Sequence, residues 1–173
     1  MLATLSIRDF VLIEKLDLDF AQAGGLGALT GETGAGKSIL IDALGLALGA
    51  RAESGTVRRG AAQASVAAAF DLPRGHAARD VLAEQGMDGE DTLTLRRTIA
   101  ADGRGRAFVN DQPASVALLR RLGETLVEIQ GQMEQHGLLD TATHRASLDA
   151  FAGLDKQSAA VASTWRDWRI AEQ

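Results

Sequence analysis

Apolar and polar positions alternate along much of the chain. Residues 2–8, with Leu2, Leu5 and Ile7 broadly apolar, predict a strand. Residues 15–20 alternate strictly, Leu16, Leu18 and Phe20 to one side and Asp17 and Asp19 to the other. That pattern predicts a half-solvated strand, antiparallel and near a sheet edge. The run AGG at 23–25 marks a turn, and LGALT at 26–30 a short apolar strand. Residues 36–48 are apolar nearly all round and predict a helix buried on most faces, with Gly49 as its C-cap. Residues 50–62 read as a loop, 64–72 as a strand ended by Pro73, and 76–86 as a helix ending at Gly86. Strands at 92–100 and 106–110, joined by ADGRG, predict a β-hairpin. A helix over 114–122 puts Val116, Leu119 and Leu122 on one face, with Pro113 at its start, and 125–129 (TLVEI) reads as a strand.

The tail has a different period. Phe151, Leu154, Ser158, Val161, Trp165, Trp168 and Glu172 follow heptad spacing. Residues 1–150 therefore read as one domain and 151–173 as the root of a coiled-coil helix, with an ordinary amphipathic packing helix as the plainer alternative. At heptad positions the two tryptophans are expected to pack on a second helix rather than stack on bases.

Composition narrows the class. The chain has 173 residues, no Cys, and a formal charge of −5. Disulfides, zinc thiolate sites and cysteine nucleophiles are excluded. No apolar run approaches the ~20 residues that span a bilayer. The first residues do not read as an export signal, so a cytoplasmic protein without membrane contact is expected. Charge is uneven: −3 over residues 1–50, +2 over 51–121 and −4 over 122–173. An acidic chain gains no long-range attraction to nucleic acid, so any DNA contact falls to the middle third. His136 and His144 lie eight apart, not the four of a helical metal pair, and His76 reads as a surface or helix-start residue.

Residues 31–38 carry the chemistry: Gly31-Glu32-Thr33-Gly34-Ala35-Gly36-Lys37-Ser38 matches G-x-x-x-x-G-K-[ST] in full. Gly31, Gly34 and Gly36 allow successive N–H groups to turn inward as an anion nest. The positive end of the following helix adds to that field. Lys37 is placed for the β- and γ-phosphates and the Ser38 hydroxyl for Mg²⁺. The fold class predicted is α/β, a P-loop NTPase. A P-loop also needs an Asp that ends an apolar strand. None follows downstream, the nearest sequence being Leu126-Val127-Glu128. Either a partner or another part of a longer protein completes the site.

The pattern LxIRDFVLIEKLDLDF, followed by GETGAGKSILIDAL, resembles the start of the SMC-type ABC ATPases. The Glu-Thr of GETGAGKS, Val57-Arg58-Arg59-Gly60, RRTIAADGRGRAFVND and IQGQMEQHGLLD point within that family to its DNA double-strand break repair branch. The resemblance spans essentially the whole chain. It implies the N-terminal lobe of an ATPase head with a mixed sheet, ending in the start of a coiled coil. It further implies ATP and Mg²⁺ as cofactors, Ile39 beside the phosphates, and Gln130, or alternatively Gln132, as the Q-loop glutamine at Mg²⁺ or the attacking water. Arg58, with Arg59 adjacent, matches the family arginine that approaches the nucleotide. The implied partners are the C-terminal half of the same head, which carries the Walker B acids and signature motif, a second head, and DNA. The implied location is the nucleoid. The complete head would hydrolyse ATP, and this portion alone would do so weakly or not at all. The competing reading is a self-contained P-loop kinase acting on a small metabolite or nucleotide, and a third is an interaction module with a structural P-loop.

Overall fold

The computed structural model describes residues 1–20, 27–31, 36–87, 91–129 and 141–172. They form two compact units, Met1–Val127 and Glu128–Gln173.

The first unit is built on a six-stranded sheet. Its strands are β1 (Leu2–Phe10), β2 (Ile13–Asp19), β3 (Gln63–Asp71), β4 (Thr92–Ala100), β5 (Gly105–Val109) and β6 (Gln112–Ala114), in the order β2-β1-β3-β4-β5-β6. All five pairings are antiparallel. The parallel ladders that a mixed sheet adds are not found among the described residues. β2 sits at an edge, as its alternation predicts. Arg8 of β1 donates to both carboxylate oxygens of Asp17 on β2, at 2.7 and 2.8 Å, and holds that carboxyl below the usual range.

One sheet face is the core. Leu5, Ile7, Val66, Ala68, Phe70, Leu93, Leu95, Ile99, Ala107 and Val109 are buried there. Helices α1 (Lys37–Ala47), α2 (Ala77–Glu84) and α3 (Val116–Leu126) bring their own buried residues, among them Ala43, Leu46, Ala47, Val81, Leu82, Leu119 and Leu122. Arg97 lies in the same file of β4 and is 6% exposed, with Nε and Nη1 lacking an acceptor. Burial pushes its pKa down.

Three expected elements take another form. Residues 27–30 are exposed and carry no ladder, because a strand exists only where a neighbour accepts and donates its backbone bonds. Residues 125–129 are not a strand either: α3 runs on to Leu126, and Val127 is extended (φ −146°, ψ 135°) without a ladder. The helix expected at 114–122 starts later, capped by Ser115, whose hydroxyl accepts from the Leu118 N–H at 3.0 Å. Pro113 precedes it in edge strand β6, where a missing N–H costs no ladder bond. Gly49 does end α1, at φ 95°, and a Cβ there would lie 2.7 Å from the Arg120 backbone nitrogen. The turn at 23–25 lies outside the described residues.

The second unit contains α4 (Thr141–Phe151) and α5 (Asp155–Ala171), separated by Gly153 at φ 66°. The break falls between Phe151 and Leu154, so the heptad file runs on one helix only from its cap Leu154 onward. Val161, Trp165 and Trp168 on α5 are 66%, 56% and 49% exposed, and the two indole rings lie 4.7 Å apart.

Candidate functional site

The phosphate-binding sequence is divided by what the structure describes. Glu32, Thr33, Gly34 and Ala35, and the glutamines Gln130 and Gln132, lie outside the described residues, as do the turn residues around 23–25 and His136. Gly31, Gly36, Lys37, Ser38 and Ile39 are described, and they frame the N-terminus of α1. Gly36 is the N-cap with φ 85° and ψ 9°, a left-handed conformation that favours glycine. It offers no side chain to the first-turn N–H groups, and that turn contains no acidic residue. The helix therefore presents its positive end with no carboxylate of its own first turn against it. Lys37 curls back so that Nζ donates to the Gly31 carbonyl at 2.5 Å. This hydrogen bond ties the first residue of α1 back to Gly31. Ser38, next in the helix, is exposed.

A cavity of about 420 Å³ opens beside this helix end. Gly36, Lys37, Ile39 and Leu40 form one wall, Leu29 and Thr30 a second, and Leu12, Ile13 and Leu16 of the β1–β2 hairpin a third. Its volume suits a small organic ligand, and among the described residues its lining is apolar except at the lysine end and Thr30. The arrangement is thus a cationic, N–H-rich pole joined to an aliphatic slot. An anionic group fits the first and a flat apolar ring the second.

Sequence reasoning found the pole and missed the slot. Leu12 stands at a hairpin turn and is 77% exposed. An apolar residue in a two-residue turn was the available signal, since such turns otherwise favour Gly, Asn and Asp. Arg58 is brought elsewhere: its Nη2 lies 2.9 Å from Glu14 Oε2 and its Nη1 3.7 Å from Asp9 Oδ1. It lines a separate cleft of about 290 Å³ with Arg59 and residues 99–101 of β4 and its turn. His76 is a helix-start residue, its Nδ1 accepting from the Ala78 N–H at 3.1 Å. Among the described residues, no three His, Cys, Asp or Glu side chains gather as a metal site. No described helix is long and apolar enough to cross a membrane.

Comparison with known proteins agrees with this geometry. The AAA domain family matches residues 4–135. DNA repair protein RecN of Bacillus subtilis is 43% identical over 160 residues, covering 92% of this chain and 27% of that protein. RecN of Xylella fastidiosa (strain 9a5c) is 40% identical over 169 residues, covering 98% and 30%. The chain thus spans less than a third of the length of these curated relatives. Among solved structures, the Smc head domain with an extended coiled coil from Pyrococcus furiosus superposes with a TM-score of 0.66 at 20% identity, covering 99% of this chain and 46% of that one. The DNA repair branch of the SMC-type ATPases, to which the motifs point, is the one these relatives occupy. The chain belongs to the AAA domain family, has the fold of part of an SMC head domain, and is a relative of the RecN DNA repair proteins.

Proposed function

We propose that this chain is the ATP-binding part of a RecN-like ATPase head acting in DNA double-strand break repair, with 1–150 as the N-terminal half of the head and 151–173 as the root of its coiled coil. The carrying observation is the junction of two surfaces: the N-terminus of α1 with Lys37, and the aliphatic slot between Leu12, Ile13, Leu16 and Leu29. A triphosphate satisfies the first and a nucleobase the second, and neither surface alone selects a nucleotide.

In this reading Gly31 to Ile39 hold the phosphates through backbone N–H groups. Lys37 exchanges the Gly31 carbonyl for the β- and γ-phosphate oxygens, so a bond within the loop is traded for a charge-assisted one. Ser38 would hold Mg²⁺, with Gln130 near the attacking water; the ion would supply charge neutralisation at the γ-phosphate. The acid that completes that shell would come from the C-terminal half of the head. Such a head would pair with a second one across ATP, hydrolyse the nucleotide to separate, and hold or tether DNA in the nucleoid. The phosphotransferase alternative gains no support from the relatives or the fold.

Two measurements test this. Lys37→Ala should abolish MgATP binding to the chain, and turnover by the whole protein. Mixing the chain with the C-terminal portion of the protein should raise ATP hydrolysis far above that of the chain alone. Unchanged binding in Lys37→Ala, or full turnover by the chain alone, would overturn the proposal.

A further inference from the structure

Among the described residues, Arg97 is the one buried charged side chain. It stands on the core face of β4, between Leu95 and Ile99 along the strand and between Val66 of β3 and Ala107 of β5 across it. All four neighbours are aliphatic and buried. A guanidinium is all donor and stays charged in such a setting. Nε and Nη1 are enclosed, and neither finds an acceptor among the described residues. Burial alone pushes the pKa of this side chain down, with no carboxylate opposing it. A buried charge persists where it is paired, because leaving it unpaired is costly. The head group also has a direction. It lies over Gly105, the first residue of β5, where a Cβ would sit 3.2 Å from Nη1 and 3.4 Å from Nη2. β6 pairs only with Ala107, Phe108 and Val109, so among the described residues no strand lies beyond Gly105, which is exposed. The guanidinium thus ends at an open corner of the sheet, and Nη2 is its one nitrogen that is not enclosed.

We propose that Arg97 is a receptor for a carboxylate carried by the rest of the protein: an Asp or Glu of the C-terminal portion enters the sheet corner at Gly105 and forks onto the guanidinium. This rests on the reading of the chain as one part of a longer ATPase head. The relatives leave ample source, since the chain covers 27% and 30% of their length. A carboxylate fits this corner better than other anions. Its two oxygens match a pair of guanidinium N–H groups in one plane. Its own methylene groups pack on Ile99 and over Gly105, whose missing side chain leaves the room. A nucleic-acid phosphate is bulkier and keeps its hydration, and it cannot follow a side chain that is 6% exposed into an aliphatic corner. The pairing is also selective. A portion that brings its carboxylate satisfies the charge, and one that does not leaves it unpaired.

The test mixes the chain with the C-terminal portion of the protein and measures their dissociation constant by titration calorimetry. Arg97→Met keeps most of the side chain's length and removes its charge. It should weaken association at least about thirtyfold, as truncating one partner of a buried, hydrogen-bonded charge pair does. In the chain alone the same substitution removes an unpaired charge, so the melting temperature should hold or rise by up to about 4 °C. A lower melting temperature would mean that Arg97 already has its partner within the chain, and would overturn the proposal. Among Asp-to-Asn and Glu-to-Gln variants of the C-terminal portion, one should weaken binding to the unmutated chain and cost nothing further with Arg97→Met, as two members of one contact do. If Arg97→Met fails to fold, Arg97→Lys, which keeps the charge and loses the planar fork, takes its place in that comparison. The proposal fails if no acidic substitution couples to Arg97, or if Arg97→Met binds the C-terminal portion normally. It fails too if the deficit of Arg97→Met lies in binding duplex DNA, which would give the corner to a phosphate. MgATP affinity of the chain should stay within about twofold in Arg97→Met, and a larger loss would place Arg97 in the nucleotide site instead. If the unmutated chain does not bind the C-terminal portion at all, the two-part head fails and the receptor with it.

Discussion

Helix α1 faces two environments with nearly the same amino acids. Toward the sheet, Ala43, Leu46 and Ala47 are almost fully buried against β1, β3 and β4. On its other side Ile41 is 50% exposed, and Leu29, just before the phosphate loop, is 60% exposed. The pattern predicts a helix buried on most faces, and the described residues cover one of them. Both sides are apolar in sequence, so composition does not distinguish them. What differs is whether the described chain supplies a partner surface. The same contrast separates β1–β6, each paired, from residues 27–30 and 127–129, which read as strands and carry no ladder. An apolar pattern records what a segment can bury, and pairing decides what it becomes.

The largest effect should come from the closed side. Leu46 is 3% exposed, and Leu46→Ala should cost about 3 kcal/mol, measured by urea unfolding of the chain. A loss below about 1 kcal/mol would mean that the sheet side of α1 is no better packed than the open side. Next is the joint between α1 and α3. Gly49 has φ 95°, and a Cβ there would press on the Arg120 nitrogen at 2.7 Å and the Val116 carbonyl at 3.0 Å. Gly55 has a similar φ of 91° but open space around it. Gly49→Ala should therefore cost roughly 2 kcal/mol, about twice as much as Gly55→Ala. Equal costs would assign the whole effect to backbone conformation and none to the close approach of α3.

Much of the closed region was legible in the sequence. The files Ala64, Val66, Ala68, Phe70 and Leu93, Leu95, Ile99 are read directly from alternation. The same alternation places Arg97 on the core face, a position its residue type argues against. β6 is three residues containing a proline and gives no periodic signal, so the pattern starts α3 too early. The pole of the site was legible because glycine and lysine at fixed spacing have few other uses. The slot was not, because Leu12 and Ile13 reach it through a turn whose shape depends on residues 56–58. Contacts of that separation are invisible to local pattern.

The smallest effect is the most informative about the open side. Ile41 is half exposed in this chain, so Ile41→Ser removes little buried surface and should change its unfolding free energy by less than about 0.5 kcal/mol. The outcome should differ in the whole protein. If the C-terminal half of the head covers this face of α1, the same substitution there removes a buried apolar side chain, worth about 2 kcal/mol, and leaves a hydroxyl facing an apolar surface. Thermal unfolding of both forms, with and without Ile41→Ser, measures the difference directly. A small effect in the chain and a large one in the whole protein would locate the docking surface on the outer face of α1. A small effect in both would leave that face solvated throughout, and the apolar character of Ile41 would then need another cause.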